Sequence, residues 1–431
     1  MQIAGGYFAS RHDRAILSVL GGLDAVVHGE LEEPVSGLLR ALARGEPWRS
    51  MPGLTVRSGG VAVRNPRGRL LEDLDTLPMA ASDLFHDGRL SSGQKVLLNR
   101  GCDSDCAYCG LQVPYRETFG GRKRFWRSRS PGRIVDEIEH YSVRHGVRRF
   151  VFQAFVLFGY DERGEAVIAG VAEEIERRGL DIEFSFVTHP GALARNAHLL
   201  PRLRQAGLVN LLLGIDSGLE SALRRYRVGF GLADIFASLA ALHGHGVSFD
   251  VGFFFIDPWT TFDEIQEQLA FLRRIRPFFG HMVRPYSFFL DQQILGSALH
   301  LNASMPLLAA LATDGLLVPA DPLSADPAAR FSDPRTGWFY SVHQRLRKSS
   351  AYRAVRRRFL EPGPLPDALE ELPLAVAESL WDLLAGRREI DVEDATRCAM
   401  EIVQERLRAA GDGCEPEAGR PLERLLDSSK V

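Results

Sequence analysis

Strand-like and helix-like segments alternate from residue 94 to residue 289, and short connections join them. Such alternation is typical of parallel β-sheets, because two parallel strands need a crossover, usually a helix, between them. Six β/α units suffice for an open barrel whose active groups gather at the carboxyl ends of the strands. The predicted fold is therefore α/β with a (β/α)6 partial TIM barrel, its strands at 95–99, 149–155, 182–187, 208–215, 248–255 and 283–289.

The intervening helices are predicted from apolar residues at helical spacing and from capping residues at their starts. Ser130 and Pro131 supply a cap and the favoured proline position before one helix. Thr261 with Glu264 forms an S/T-x-x-E capping box before another. The predicted helices of this part of the chain cover 133–145, 166–178, 196–206, 232–243 and 261–275.

Three of the five cysteines lie in one short loop after the first predicted strand: Cys102, Cys106 and Cys109, with the spacing C-x3-C-x2-C. A disulfide framework would need an even number of cysteines in a short secreted chain. A structural zinc site would need four closed ligands, usually in two separated pairs. Three thiolates in one loop favour a [4Fe–4S] cluster with one open iron, since thiolates are the usual ligands of such clusters. A distorted zinc loop or a chance grouping is the alternative.

The cysteine spacing, with Tyr108 before the last cysteine, resembles the motif of the radical S-adenosylmethionine (radical SAM) superfamily. The resemblance covers roughly residues 90–300. It implies that the amino and carboxylate groups of SAM chelate the open iron, and that one electron cleaves SAM to a 5′-deoxyadenosyl radical. It also implies an electron donor such as flavodoxin or ferredoxin, and a Tyr108 side chain near the cluster and the adenine.

The end of the fourth predicted strand, residues 213–218, resembles the family's Gly-Ile-Glu-Ser-Gly motif. The resemblance implies that Gly214, Asp216 and Ser217 lie near the amino acid moiety and ribose of SAM. An aspartate stands here where the family has glutamate, and this carboxylate is one methylene shorter. It can still accept a hydrogen bond from an ammonium or a hydroxyl group.

The loop after the fifth strand resembles the family's Gly-x-Pro-Gly-Glu-Thr motif, which lines the adenine and caps the next helix. Three positions depart from that motif, namely Ile256, Trp259 and Thr260, whereas Thr261 is retained. Thr261 is therefore a candidate for SAM binding as well as a cap. His189, at the end of the third strand, is a candidate contact to SAM or substrate; its alternative role is purely structural.

Residues 1–60 are predicted as a strand, a helix, a strand and a helix, and residues 61–90 as a linker. This segment resembles the second half of the cobalamin-binding domain that precedes the radical SAM core in one large class. The first half is missing, and no Asp-x-His-x-x-Gly motif occurs. Either the start of translation has been placed too late, or the domain has degenerated into an embellishment. Whether cobalamin is a cofactor therefore stays open.

Composition excludes several other classes of protein. The hydrophobic fraction of 45% and the net charge of −3 are ordinary for a globular protein, and they give no drive toward membranes or nucleic acid. Residues 116–129 are basic with interleaved aromatics, as in some RNA-binding segments, but a solvated loop or a SAM contact is the simpler interpretation. Cys398 and Cys414 are expected to be free thiols in a cytoplasmic protein.

The predicted domains are thus the partial N-terminal segment 1–60, the linker 61–90, the radical SAM core 91–300, and a mostly helical region 301–431 with a mobile tail. The resemblance implies a biosynthetic radical SAM enzyme acting on a small molecule or peptide, with cobalamin-dependent C-methylation as the leading hypothesis. The alternatives are a cobalamin-free rearrangement, epimerisation or oxidation, in which Cys398 or Cys414 returns a hydrogen atom. A non-catalytic iron–sulfur or RNA-binding module is the alternative of another class.

Overall fold

The computed structural model describes residues 1–81, 93–102, 104–109, 126–154, 157–159, 161–279, 299, 306–318, 328–349, 352, 353, 357, 370–386 and 392–409. The chain divides into two compact units, residues 1–180 with 302–307 and residues 181–301 with 308–431. Within the described ranges no helix combines the length and the apolarity that a membrane span requires.

The first unit begins with a four-stranded sheet in the order β1-β2-β3-β4. The pair β1 and β2 is parallel, whereas β3 is antiparallel to both β2 and β4. Its elements are β1 (Ile3–Ala4), α1 (Tyr7–Val19), β2 (Ala25–Val27), α2 (Glu32–Arg44), β3 (Leu54–Ser58) and β4 (Val61–Arg64). The predicted strand–helix–strand–helix order is confirmed, and the β3–β4 hairpin is an addition to it.

The central strand of this sheet is buried on both faces. Ala25 and Val27 pack with Leu38 of α2, whereas Val26 points to the opposite face and packs with Leu17 of α1. Successive side chains of a strand point to opposite faces, so a continuous apolar run such as Ala-Val-Val indicates a strand covered on both sides.

The rest of the first unit contains the start of the parallel array. Strands β5 (Gln94–Leu97) and β8 (Arg149–Gln153) pair in parallel, and a short antiparallel ribbon of β6 (Asn99–Arg100) and β7 (Arg127–Ser128) lies between them in sequence. Helix α3 (Pro131–His145) begins after Ser130, whose Oγ accepts a hydrogen bond from the Arg133 backbone as predicted. Helix α4 (Glu162–Arg177) begins four residues before its predicted start.

The early start of α4 has a local cause. The Asp161 side chain accepts a hydrogen bond from the Arg163 backbone and so caps the helix. Asp is among the preferred capping residues, because its oxygen satisfies one of the amide groups that the first turn leaves without an intrahelical partner.

The second unit contains three parallel strands with β10 in the middle: β9 (Glu183–Thr188), β10 (Leu208–Asp216) and β11 (Ser248–Phe253). Its helices around the strands are α5 (Pro190–Asn196), α6 (Leu200–Gln205), α7 (Glu220–Tyr226), α8 (Leu232–Gly244) and α9 (Phe262–Ile275). Five parallel strands, two in the first unit and three in the second, therefore confirm the predicted α/β class. The predicted strand 283–289 lies outside the described residues.

One helix of the second unit differs from its prediction. The helix expected at 196–206 begins at Pro190 and is interrupted at residues 197–199 by a turn of 3-10 helix. The His189 side chain caps its start by accepting from the Ala192 backbone, and Pro190 occupies the first helical position. Proline is favoured there because its missing amide proton would have no intrahelical partner.

The described C-terminal part is mostly helical, as predicted. Its elements are α10 (Leu307–Thr313), the antiparallel pair β12 (Leu317–Val318) and β13 (Ala328–Ala329), α11 (Pro334–Lys348), α12 (Leu372–Ala385) and α13 (Val392–Ala409). Helices α11, α12 and α13 pack on one another, and α12 also packs on α9. The predicted mobile tail lies outside the described residues.

Candidate functional site

The cysteine loop leaves the parallel array through the β6–β7 ribbon. The Leu98 backbone amide donates to the carbonyl of Gln153 at 3.1 Å, which extends the strand pairing by one residue. Gly101 then turns the chain with φ of 85°, in the left-handed region that glycine adopts at low cost. Cys102 follows directly, so the first thiol lies at the end of the first parallel strand, as predicted.

The three loop cysteines are not disulfide-bonded. Cys102 is buried, whereas Cys106 and Cys109 are half-buried. The Cys109 amide donates to the Cys106 carbonyl at 3.1 Å, so a tight turn brings the second and third cysteines to one side of the loop. Tyr108 within that turn is half-buried. The described residues contain no group of three His, Cys, Asp or Glu side chains that could hold a single metal ion.

Candidate residues for SAM binding other than Tyr108 lie in the second unit, and two of them end β10. Asp216 adopts φ of 64°, the left-handed region, and is 7% exposed. The register between β10 and β11 shifts between Gly214 and Asp216, and the Asp216 carbonyl accepts from the Phe254 amide at 2.8 Å. A bulge of this kind re-aims side chains at the end of a strand. The Asp216 carboxylate is thus held at a strand end by its own backbone.

Ser217 is fully buried and anchors the turn that follows. Its Oγ accepts from Gln268 Nε2 at 2.9 Å and from the Leu219 amide at 3.3 Å. Gln268 Oε1 in turn accepts from the Gly218 amide at 2.9 Å. Gln268 was not predicted as a site residue, since nothing in a helical run signals that one of its residues holds a turn 51 positions away.

The loop after β11 is organised around Asp257, which is 1% exposed. Its Oδ2 accepts from Tyr226 Oη at 2.8 Å and from Arg225 Nε at 3.1 Å. Its Oδ1 accepts from the Trp259 amide at 2.8 Å and from Thr260 Oγ1 at 3.1 Å. Burial of the Tyr226 hydroxyl and the negative charge of Asp257 raise the pKa of Tyr226 well above its ordinary value, so it remains a donor. One carboxylate thus fixes a loop in which the related motif uses glycines.

Trp259 is held on two sides in this loop. Its Nε1 donates to Asp314 Oδ2 at 2.7 Å, and the Arg225 guanidinium lies over its ring at 5.5 Å from the centroid. The Pro258 carbonyl accepts from the Ser332 amide at 2.8 Å. These contacts explain how a bulky residue replaces the second glycine of the motif: it is packed against the C-terminal region.

Thr261 caps α9, as predicted. Its Oγ1 accepts from the Glu264 amide at 3.2 Å, and the Thr261 amide donates to Glu264 Oε2 at 2.9 Å. The same glutamate accepts from Ser221 Oγ at 2.6 Å. These hydrogen bonds confirm the capping role of Thr261, whereas its SAM-binding role stays a prediction.

His189 caps α5 through Nδ1, which accepts from the Ala192 amide at 3.2 Å. Its ring stacks on Phe230 with centroids 5.6 Å apart. Burial and the positive charge of Arg195 lower the pKa of His189 to about 4, so the imidazole is neutral near pH 7 and carries its proton on Nε2. His189 therefore has the structural role that was the alternative to contact with SAM or substrate.

Comparison with known proteins points to one family. The model of the Radical SAM superfamily matches residues 96–272. The chain is 25% identical over 274 residues to an anaerobic magnesium-protoporphyrin IX monomethyl ester cyclase of Synechocystis sp., a match that covers 62% of this chain and 51% of that protein. It is also 25% identical over 266 residues to the uncharacterized methyltransferase PH0819 of Pyrococcus horikoshii, covering 59% and 53%. The chain thus spans about half the length of these curated relatives.

A solved structure has a similar fold over nearly the whole chain. The cobalamin-dependent S-adenosylmethionine radical enzyme OxsB, with aqua-cobalamin bound, matches with a TM-score of 0.73 and 15% sequence identity. The match covers 94% of this chain and 67% of OxsB. This likeness supports the partial-barrel fold predicted from the strand and helix pattern.

The cysteine loop fits an iron–sulfur cluster by the chemistry of its donors. Three thiols that are free of disulfides, of which one is buried and two are half-buried, match the soft ligands that iron–sulfur clusters take. Cys102, Cys106 and Cys109 would hold such a cluster.

Cobalamin finds no comparable fit at the ends of β1 and β2, the edge at which sheets of this kind bind ligands. A methyl group on Gly5 would lie 2.8 Å from Leu31 Cδ2, so Leu31 covers the end of β1. At the end of β2 the carboxylate of Glu30 accepts from Arg127 Nη2 at 2.8 Å. Within the described residues, these contacts cover the ends of both strands.

Proposed function

Because this chain carries a radical SAM domain at residues 96–272, we propose that it cleaves SAM reductively and uses the resulting radical in biosynthesis. When bound, a [4Fe–4S] cluster and SAM supply a 5′-deoxyadenosyl radical. The observation that carries the proposal is the position of three cysteines without disulfide bonds in the loop that follows the first parallel strand β5 and the short strand β6. A flavodoxin or ferredoxin is the proposed electron donor, and the proposed substrate is a small molecule or peptide.

The proposed roles of the other site residues follow from their chemistry. The Asp216 carboxylate, nearly buried at a strand end, suits an ammonium or a ribose hydroxyl, because charge-assisted hydrogen bonds are strong where water is scarce. Gly214 leaves the adjacent sheet face without a side chain. Tyr108 shields the cluster, and Thr261 and His189 are candidate contacts on loops after β11 and β9. The proposed core spans 91–300, with the segments 1–60, 61–90 and 301–431 around it.

Methyl transfer to carbon is the first candidate for the reaction. The fold likeness to OxsB and the 25% identity to an uncharacterized methyltransferase favour it. In the cobalamin-dependent version of this reaction, methylcobalamin would donate the methyl group. The covered ends of β1 and β2 favour the second candidate, a cobalamin-free rearrangement, epimerisation or oxidation. Cys398, which is half-buried and not disulfide-bonded, is the described candidate for returning a hydrogen atom in that case.

The test is anaerobic reconstitution of the full chain with iron and sulfide, followed by addition of SAM and dithionite. We expect the reconstituted protein to contain the iron and sulfide of one [4Fe–4S] cluster per chain. We also expect it to form 5′-deoxyadenosine from SAM. The variant with Cys102, Cys106 and Cys109 changed to alanine should lack both, whereas D263N, at an exposed position without a proposed site role, should retain both. A wild-type protein that makes no 5′-deoxyadenosine would sink the proposal.

Hydroxocobalamin separates the two candidate reactions. After gel filtration, corrinoid absorbance that comigrates with the protein would support the methyl-transfer candidate. Formation of 5′-deoxyadenosine by protein that retains no corrinoid would support the cobalamin-free candidate.

A further inference from the structure

We infer that Glu30 is a positioning residue for the cysteine loop, because its carboxylate bridges the two arginines that face each other at the neck of that loop. The neck is the ribbon of β6 and β7. The inference rests on the proposed function, since it concerns the loop that would hold the cluster. It gives the N-terminal sheet a role that does not depend on cobalamin.

The cysteine loop is the segment of chain between the two strands of the neck. Arg100 on β6 is the register partner of Arg127 on β7, and Asn99 is the partner of Ser128. Residues 101–126 leave and return through this two-residue ribbon, and Cys102 lies two positions beyond Arg100. Any change in the separation of the two strands therefore moves the first cysteine directly.

Both arginines of the neck reach the same carboxylate. Arg127 Nη2 donates to Glu30 Oε1 at 2.8 Å, and its Nη1 donates to Oε2 at 3.1 Å. Arg100 Nη1 lies 3.3 Å from Glu30 Oε1, and Arg100 also pairs with Glu32. Planar guanidinium groups match a carboxylate in two parallel hydrogen bonds, which fixes orientation as well as distance.

The bridge is removed from solvent. The side chains of Glu30 and Arg127 are 6% and 8% exposed, and that of Arg100 is 17% exposed. Two register-matched guanidinium groups repel each other, and little water is present to screen them. The Glu30 carboxylate contacts both arginines, whereas Glu32 pairs with Arg100, so Glu30 offsets the repulsion for the two arginines together. Removing its charge would take this carboxylate from Arg127 and leave Arg100 with Glu32, so the repulsion across the neck would be less fully offset.

A third segment completes the arrangement. The Leu71 amide donates to Glu30 Oε2 at 3.0 Å, and the Leu71 carbonyl accepts from Arg127. The end of β2, the stretch after β4 and the neck of the cysteine loop thus meet at one carboxylate. These contacts fix the position of the Glu30 carboxylate. We therefore infer that Glu30 fixes the separation between β6 and β7.

The test compares Glu30→Gln, which keeps the size of the side chain and removes its charge, with Glu33→Gln on the first turn of α2. Glu33 is exposed and forms no hydrogen bond or ion pair with another residue that the structure describes, which makes it a matched control. Both variants and the wild type are reconstituted with iron and sulfide. Three quantities are measured: iron per chain, the rate at which a chelator removes the cluster, and the EPR spectrum of the reduced cluster.

We expect E30Q to lose its cluster roughly tenfold faster than the wild type and E33Q, with a broadened EPR signal, because the neck is no longer held at one width. The double variant E30Q/R100Q removes the repulsion and should recover most of the retention. A merely destabilised N-terminal sheet would not be rescued in this way. Circular dichroism of the apoproteins reports folding separately.

Two results would overturn the inference. One is an E30Q protein whose cluster loss and EPR spectrum match those of the wild type. The other is a defect in E30Q, whether in folding or in cluster retention, that the double variant does not relieve. Failure of the proposed function is distinguishable, because there the wild type itself would take up no cluster or form no 5′-deoxyadenosine.

Discussion

Gln268 and Ser217 form a buried hydrogen bond of 2.9 Å between Nε2 and Oγ, although 51 positions separate them in sequence. The other amide atom of Gln268 accepts from the Gly218 backbone. One side chain on α9 therefore holds both the serine and the backbone of the turn that ends β10. The geometry of Asp216, the residue before Ser217, depends on this contact.

Replacing Gln268 with leucine should loosen this turn. The change leaves the Ser217 hydroxyl and the Gly218 amide buried without their partner, which costs about 1–3 kcal/mol of unfolding free energy for such a group. We also expect a higher KM for SAM with a smaller change in kcat. Denaturant unfolding and steady-state formation of 5′-deoxyadenosine measure the two effects. Q266L, at an exposed position of the same helix, is the control. Equal KM values for Q268L and the control would contradict the prediction.

Asp216 can be tested without disturbing its backbone. Asparagine tolerates the left-handed conformation that Asp216 adopts at φ of 64°, so D216N should fold normally. Loss of a charge-assisted hydrogen bond to the ammonium or ribose should weaken SAM binding roughly ten- to hundredfold. Calorimetric titration of the reconstituted protein with SAM measures this, with the exposed D263N as control. Wild-type affinity in D216N would remove Asp216 from the proposed site.

His343 on α11 should make the protein sensitive to acid. It is 1% exposed, and neither ring nitrogen has a hydrogen-bond partner in the described part of the chain. Burial, with the positive charge of Arg347, lowers its pKa to about 3, so the folded state keeps it neutral. As pH falls below about 6.5, the unfolded chain takes up a proton that the folded chain does not, and unfolding free energy drops by up to about 1.4 kcal/mol per pH unit.

The variant H343L isolates this effect. Between pH 7 and pH 5 its urea midpoint should fall less steeply than that of the wild type, and at pH 7 it should be at least as stable, since two buried polar atoms are removed. The exposed H245L is the control. Parallel pH profiles for the wild type and H343L would show that His343 contributes nothing to acid sensitivity.

Trp381 joins α12 to the start of α9. Its ring stacks on Phe262 with centroids 5.3 Å apart, and its Nε1 donates to the Phe262 carbonyl at 2.9 Å. W381F should cost about 1 kcal/mol through the lost hydrogen bond, and W381A about 3–5 kcal/mol through the cavity. Urea unfolding followed by circular dichroism measures both. W338F is the control, at a half-buried tryptophan of α11 for which the described residues supply no hydrogen bond, and it should have a smaller effect. An equal or larger effect would be at odds with this role for Trp381.

Sequence patterns predicted those parts of the fold that depend on local chemistry. The box of Thr261 and Glu264 appears at the start of α9, and the cap formed by Ser130 appears at the start of α3. Helix α13 lies in the region that was predicted to be mostly helical, and its apolar stripe and acidic first turn are both readable from the sequence. The cluster-binding role of the cysteines after the first strand, which was inferred from their spacing, stays a prediction.

Contacts between residues far apart in sequence were not predictable in this way. Arg127 donates a hydrogen bond to Glu30, which lies 97 positions away in the sequence, and Tyr226 donates one to Asp257, which lies 31 positions away. A charged or polar residue in a loop is usually solvated. The local sequence therefore does not distinguish such a residue from a buried carboxylate that accepts several hydrogen bonds. His189 shows the converse, because its capping role is local and accounts for a residue that was singled out for binding.

The Asp257 loop has a consequence for the thermodynamics of ligand binding. A glycine-rich loop has wide conformational freedom and loses entropy when a ligand orders it. In this chain four hydrogen bonds to one buried carboxylate, together with the Trp259–Asp314 contact, have already removed that freedom during folding. A molecule that contacts this loop therefore meets a preorganised surface, and the entropic cost of ordering the loop does not reduce its affinity.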